Sequence, residues 1–362
     1  MNGREGLSIS PRGAVPQAGE ANMTAAYAVT SPGAPIELIE VADVPLGPLG
    51  VDVRVTHCGV CHTDIGMIDD EFGISRYPVV AGHEAVGVVE RLGSAVPPDQ
   101  LAVGQRVGVG ATAGACFACE WCLSGRHHLC PAKDDVVFRG DRGAFASHVR
   151  ATDWRFAHPI PPGMSSEHAG PLLCAGATVF TAIHQHEVRP TDHVAVVGLG
   201  GLGHVAVQFL AKWGCHVTAI TSSADKAADA RRFGAHQVIV AGPHGEGLAE
   251  VAKSFDFMIS TVSADLPWDS YLATLRPQGK LALLGVPSRR ISLSPLSLLP
   301  GERTLVGGVT GGPTITRTML EFADRHGIQP EVELFAVSDI EAALNRTRTG
   351  QARYRVVLDY LT

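Results

Sequence analysis

The stretch DHVAVVGLGGLGHVAVQFLAKWGCHVTAIT, residues 192–221, constrains the fold of this chain more than any other. A short, mostly apolar run at His193–Val197 predicts a buried strand. Gly198, Gly200 and Gly203 then form G-x-G-x-x-G. Leu202, Val205, Ala206, Phe209, Leu210 and Trp213 fall at three- and four-residue spacing, which predicts a helix ending near Gly214. A second strand is expected at Cys215–Ile220. Strand, glycine turn, helix and strand in a unit of this length form a dinucleotide-binding fingerprint. The glycines permit a tight turn and close backbone approach, and the helix N-terminus receives the pyrophosphate. Apolar runs at 255–260, 280–285 and 304–309, with helical segments between, extend the unit to a doubly wound parallel sheet of the α/β class.

The end of the second strand bears on which dinucleotide binds. An NAD unit usually carries an acidic residue there for the ribose hydroxyls. Here the residues are Thr221, Ser222 and Ser223, with Asp225 and Lys226 beyond. Hydroxyls and a lysine suit a 2′-phosphate, so NADP(H) is the expected cofactor. An ordinary serine-capped helix start is the plain alternative.

The region before this unit has a different texture. Val51, Val53 and Val55 alternate with Asp52 and Arg54, the period of a strand with one buried face. Other short strands, broken by Pro and Gly, make the region β-rich and barrel-like. Within it, Cys61, His62, Thr63 and Asp64 stand in a row, and His83 and Glu84 follow about twenty residues later. A thiolate, an imidazole and nearby carboxylates are what zinc asks of a protein. Cys174, inside PLLCAGATVF, is the best candidate for a further ligand. Two cysteines and one histidine leave a tetrahedral position open, the mark of a catalytic zinc. Cys116, Cys119, Cys122 and Cys130 are spaced C-x2-C-x2-C-x7-C and can close a tetrahedron around a structural zinc. His127 and His128 are surplus to that set and read as solvated loop residues. Cys58 and Cys215 read as small core residues.

A chain of 362 residues favours two domains. A formal charge of −7, without a long basic run, argues against a nucleic-acid partner, and no apolar run reaches the length of a membrane span. The first 22 residues read as a loose tail without the apolar core of a signal peptide. A reducing cytoplasm is therefore expected, where eight cysteines serve as metal ligands more readily than as disulfides. Residues 165–190 carry helical spacing, with Ser165 or Ser166 as a cap. After Gly311 the texture changes again, to a helix and a final alternating strand, YRVVLDY. This tail is assigned to the first domain, giving a catalytic domain at 23–172 and 310–362 and a nucleotide domain at 173–309.

CGVCHTD, GHEAVGVVERLG, the four-cysteine lobe, PLLCAGATVF, GLGGLGHVAVQFLAKWG, DFMISTVSA and RYRVVLD together resemble the zinc-dependent medium-chain alcohol dehydrogenases. The likeness is to the cinnamyl-alcohol-dehydrogenase-like branch, which includes NADP-dependent aldehyde reductases. It implies a GroES-like catalytic domain beside a Rossmann domain, and a homodimer or homotetramer acting on a small alcohol or aldehyde. It implies Cys61, His83 and Cys174 as catalytic zinc ligands, with Glu84 near that metal and able to bind it transiently. Asp64 would orient the ligand histidine, Thr63 would pass the substrate proton, and His62 would touch the pyrophosphate. Thr178, Gly198, Gly200, Gly201, Leu202, Gly203, Thr221, Ser222, Ser223, Lys226, Val262, Gly285 and Val286 would line the cofactor. Gly66 stands where many relatives have a histidine that finishes the proton relay. That departure leaves two rival readings, an imine or conjugated C=C reductase on the same fold and a nucleotide-binding sensor without catalysis. The retained Thr63 and zinc ligands favour reversible hydride transfer between NADP(H) and a primary alcohol or aldehyde.

Overall fold

The structure is a computed structural model that describes residues 23–287 and 289–362. The expected loose tail lies outside the described residues. The first part of the chain supplies β1 (Met23–Ala28), β2 (Glu37–Ala42), β3 (Val51–Val60), β4 (Ala85–Leu92), β5 (Arg106–Val109), β6 (Thr112–Gly114), β7 (Asp134–Asp135), β8 (His148–Ala151) and β9 (Ala157–Pro159). The middle supplies β10 (His193–Val197), β11 (His216–Thr221), β12 (Gln237–Val240), β13 (Phe255–Ser260), β14 (Leu275–Leu283) and β15 (Thr304–Gly307). The end supplies β16 (Val332–Ala336) and β17 (Arg355–Asp359).

Two sheets carry the molecule. One is seven-stranded, in the order β16-β17-β3-β4-β5-β9, with β8 also paired to β3. Its long central strand β3 buries Val51, Val53 and Val55, as the alternation predicts. Asp52 is buried as well, which the period alone does not predict. Its carboxylate is held by Arg150 Nε at 2.5 Å and Arg91 Nη2 at 2.7 Å, so the charge is paired rather than stranded. The other sheet is six-stranded and parallel, in the order β12-β11-β10-β13-β14-β15. Its central strand β10 is buried on both faces after its first residue, which is why it reads as a continuous apolar run. All six strands run the same way, and the strand order reverses at β10, with β11 and β12 on one side and β13 on the other. The crevice at the carboxyl ends of the strands beside that reversal is the usual ligand position in such sheets.

The helix Gly203–Trp213 buries Val205, Ala206, Phe209 and Leu210 and stops at Gly214, whose φ of 109° suits glycine. Phe209 and Phe180 meet edge-on with ring centroids 5.7 Å apart, in an apolar cluster that also takes in Met319, Leu320 and Ala323. Truncating a buried aromatic of this kind costs about 3–5 kcal/mol. Those last three residues belong to the helix Pro313–His326, which therefore packs beside the nucleotide-binding sheet. The strands that follow it return to the other sheet, where β17 runs antiparallel to β3.

Residues 165–190 depart from a single helix. A helix at Ser166–Pro171 passes into a π-helical turn at Leu172–Gly176 and then into the helix Ala177–Gln185. Pro171 lacks the N–H that an uninterrupted ladder needs, and the wider turn follows it directly. Ser165 stands at the N-cap position, but its hydroxyl is 2.8 Å from His168 Nδ1 and caps no backbone N–H. Among the described residues, no helix is long and apolar enough to cross a membrane.

Candidate active site and metal centres

The π-helical turn presents Cys174 to two residues from the other sheet's region. Cys174 Sγ lies 3.2 Å from His83 Nε2 and 4.0 Å from Cys61 Sγ. Cys61, His83, Glu84 and Cys174 offer ligand atoms that all lie within 4.8 Å of one another. Cys61 directly follows β3 and stands at the N-cap of the helix His62–Ile68, while His83 and Glu84 directly precede β4. Local folding thus aims donors from three separate segments at one point.

Asp64 holds this arrangement from behind. It is fully buried and accepts three hydrogen bonds, from Cys61 N at 2.9 Å, Gly82 N at 2.8 Å and His83 Nδ1 at 2.8 Å. The last bond places the imidazole proton on Nδ1 and leaves the Nε2 lone pair facing the thiols. The thiol of Cys174 holds Cys61 well below the ordinary thiol range, and Cys174 is raised in turn. Two thiols and one imidazole converge on a point, and among the described residues no further cysteine or histidine joins them, which fits a zinc ion with an open position.

Glu84 is fully buried and paired with Arg355, a residue at the start of β17. Burial pushes its carboxyl up, the guanidinium opposes, and the result is about 7. Its Oε2 has no hydrogen-bond partner. Arg355 also reaches the glycine turn, since a Cβ at Gly201 would lie 2.9 Å from its Nη1. One buried guanidinium thus joins the metal centre to the cofactor turn.

Thr63 presents its hydroxyl 3.7 Å from Cys61 Sγ. His62 is half exposed, with Nε2 3.7 Å from Glu71 Oε2. Gly66 has a packing reason of its own. A Cβ there would meet Phe72 Cε2 and Cζ at 2.5 and 2.6 Å, so the aromatic ring fills the space of any side chain.

The four-cysteine lobe also draws its ligand atoms within 4.8 Å of one another. Cys116 Sγ lies 3.5 Å from Cys130 Sγ and 3.9 Å from Cys122 Sγ. The backbone N–H groups of Ala118 and Cys119 donate to Cys116 Sγ at 3.5 and 3.3 Å and bring that thiol down to about 6. Burial pushes Cys122 up to about 12. Four sulfurs and amide donors suit a closed zinc site. His127 and His128 correct the reading as solvated loop residues, because both are buried. His127 packs at 4.8 Å from the ring of Phe117, and His128 Nε2 faces Gln185 Nε2 at 3.4 Å. They fasten the lobe to the body, and their aromatic faces supply the apolar area.

The residues expected to line the cofactor are placed as follows. Gly198 has a φ of 90°, and a side chain at Gly203 would strike the Gly198 carbonyl. A Cβ at Gly200 meets no protein atom within 4 Å, so the turn leaves open space for a phosphate there. Val262 and Gly285 follow β13 and β14, with Val262 against Gly198 and Gly285 against Val262. Leu202 caps the helix, Thr178 is buried on the helix Ala177–Gln185, and Val286 is exposed. At the end of β11, Thr221 Oγ1 accepts from Ser223 N at 3.2 Å, and Lys226 Nζ donates to the Leu199 carbonyl at 3.1 Å. Ser222 is exposed. Hydroxyls, a lysine and a side-chain-free turn fit a phosphorylated dinucleotide.

Arg353 and Arg355 both lie within RYRVVLD, but that motif assigns neither a role, because each finds its acidic partner far along the chain, Arg353 at Asp225 and Arg355 at Glu84.

Two family models match the chain, the alcohol dehydrogenase GroES-like domain over residues 47–162 and zinc-binding dehydrogenase over residues 201–325. An aldehyde reductase of Synechocystis is 41% identical over 338 residues, 93% of this chain and 99% of that protein. A probable cinnamyl alcohol dehydrogenase 3 of rice (Oryza sativa) is 36% identical, covering 97% of each. Among solved structures, a cinnamyl alcohol dehydrogenase of Sorghum bicolor superposes with a TM-score of 0.88 at 32% identity, over 93% of this chain and 98% of that one. A Helicobacter pylori enzyme described as CAD, complexed with NADP(H), superposes with a TM-score of 0.85 at 26% identity, over 95% and 99%.

Proposed function

The chain belongs to the zinc-binding medium-chain alcohol dehydrogenases, in their cinnamyl-alcohol-dehydrogenase-like branch, and from that premise we propose reversible hydride transfer between NADP(H) and a primary alcohol or aldehyde. The observation that carries this reading is the convergence of Cys61, His83 and Cys174 beside the Thr63 hydroxyl. The NADP(H) preference rests on the hydroxyls and lysine at the end of β11, and it agrees with the NADP(H) complex of the Helicobacter enzyme.

Cys61, His83 and Cys174 would hold the catalytic zinc, and Cys116, Cys119, Cys122 and Cys130 a structural one. A zinc held there would supply Lewis acidity toward a carbonyl or hydroxyl oxygen, and a bound nicotinamide would supply the hydride chemistry. The chain's own residues do the rest. Asp64 keeps the His83 proton on Nδ1 and fixes the ring. Arg355 neutralises Glu84, so the pocket holds no uncompensated carboxylate. Thr63 gives a proton to the substrate oxygen in reduction and accepts it in oxidation. With Phe72 over Gly66, the proton reaches solvent by water or by the His62–Glu71 pair. The glycine turn at 198–203 seats the pyrophosphate, and Thr178, Val262, Gly285 and Val286 border the cofactor. A homodimer or homotetramer is also proposed. β15 is the outer strand of its sheet, and Leu296, Leu299 and Val309 nearby are exposed.

Thr63→Val tests the reading. It should lower turnover about a hundredfold or more in both directions, the typical contribution of a positioned proton donor. Unchanged aldehyde turnover would move the assignment to an imine or conjugated C=C reductase, which delivers no proton to such an oxygen.

A further inference from the structure

We propose that Arg353 is a specificity-determining residue for NADP(H), giving the 2′-phosphate a cationic partner from outside the nucleotide-binding sheet. The proposal rests on the NADP(H) reading above and extends it to a residue 128 positions away from Asp225.

Arg353 lies two residues before β17, a strand of the seven-stranded sheet. Its side chain nonetheless reaches the end of β11, where Nη2 lies 3.2 Å from Asp225 Oδ2. Asp225 Oδ1 in turn accepts from the Ser223 hydroxyl. Lys226, the next residue, is tied to the glycine turn through the Leu199 carbonyl at 3.1 Å. Arg353, Ser223 and Lys226 therefore surround one small region at the end of the strand that carries the adenosine ribose in this type of fold.

Two features make the guanidinium available. Its backbone is anchored, with Arg353 N donating to Glu333 Oε1 at 2.7 Å and Arg346 Nε holding Glu333 Oε2 at 2.8 Å. Its side chain is an exposed arm whose acidic partner, Asp225, is more exposed still. A partner that exposed binds weakly in water. A 2′-phosphate carries more charge than a carboxylate and accepts a bidentate guanidinium contact. On binding, the phosphate would take Arg353 over from Asp225. Lacking that phosphate, NAD(H) would leave the Arg353–Asp225 pair intact, so the residue discriminates between the two cofactors.

Direct binding decides the matter. Calorimetry on the zinc-loaded full chain would measure NADP+, NAD+ and adenosine 2′-monophosphate with the wild type, Arg353→Gln and Arg353→Lys. Arg353→Gln should weaken NADP+ and adenosine 2′-monophosphate about ten- to a hundredfold, as loss of a charged hydrogen bond does. Its NAD+ affinity should stay within about twofold, which also shows that the variant is folded. Arg353→Lys should recover part of the loss. Unchanged NADP+ binding in Arg353→Gln, or an equal loss for NAD+, would overturn the proposal while leaving the cofactor reading intact. Equal NADP+ and NAD+ binding by the wild type would overturn the cofactor reading and this proposal together.

Discussion

Asp64→Asn perturbs the centre without changing its volume. The native carboxylate accepts from Gly82 N and His83 Nδ1 on one oxygen and from Cys61 N on the other. An asparagine has one oxygen. If it keeps the first pair, its NH2 faces the Cys61 N–H, donor against donor. If it flips, two donors are stranded instead of one. A buried donor left unsatisfied costs about 1–3 kcal/mol, and the group is fully buried. Part of that cost falls on the metal-loaded state, because Asn no longer holds the His83 proton on Nδ1 with a full negative charge. Loss of such a supporting group typically weakens zinc about ten- to a hundredfold, or ~1.4–2.7 kcal/mol. Competition with a graded chelator, read by elemental analysis, should show one zinc per chain leaving at roughly that much lower chelator activity. The second zinc should leave as in the wild type. Cys119→Ser should do the converse, releasing the lobe's zinc and lowering the unfolding temperature, because a structural zinc contributes folding free energy. Asp64→Asn protein that holds both ions with wild-type affinity would refute the reasoning.

Acid should destabilise the fold through two histidines that lie outside the metal centres. Burial pushes His158 and His204 down to about 3. His204 donates from Nδ1 to the Gly200 carbonyl and accepts from Glu331 N on Nε2 at 3.1 Å, so its neutral form is locked in. Above pH ~6.5 both rings are neutral in folded and unfolded chains and contribute no pH dependence. Below that, the unfolded chain takes up protons that the folded one refuses, and stability falls as pH falls toward 3. The slope is about 1.4 kcal/mol per pH unit for each histidine, roughly 3 kcal/mol in all at pH 5.5. Urea midpoints that coincide at pH 7.5 and 5.5 would contradict it. Sedimentation of the intact chain should give a dimer or tetramer, and a charged residue at Leu299 should weaken the association; a monomer at micromolar concentration would remove the proposal.

How much of this was legible in the residues follows from how local each signal is. The strand at His193–Val197 and the helix to Trp213 come from apolar period and glycine punctuation within thirty residues, and both stand where the pattern puts them. The four-cysteine lobe is local in the same way. Cys174 was reachable only by counting thiols, since the π-helical turn that aims it hides within an ordinary helical spacing. His127 and His128 looked like loop residues because nothing adjacent shows that Phe117, Phe156 and Gln185 fold over them. The Glu84–Arg355 pair joins positions 271 residues apart, and no period connects them. Phe72 against Gly66 is near in sequence, yet a glycine's absence of side chain carries no sign of what fills the space.

The central claim is that Cys61, His83 and Cys174 hold a zinc that serves NADPH-linked carbonyl reduction. Initial rates test it most directly, with zinc-loaded wild type and Cys174→Ser on aliphatic and aromatic aldehydes, with NADPH and with NADH. The account predicts aldehyde-dependent NADPH oxidation, slower turnover with NADH, and loss of activity in Cys174→Ser while the four-cysteine lobe keeps its ion. Undiminished turnover in Cys174→Ser, or a wild type that reduces imines or conjugated C=C bonds but no aldehyde, would contradict it.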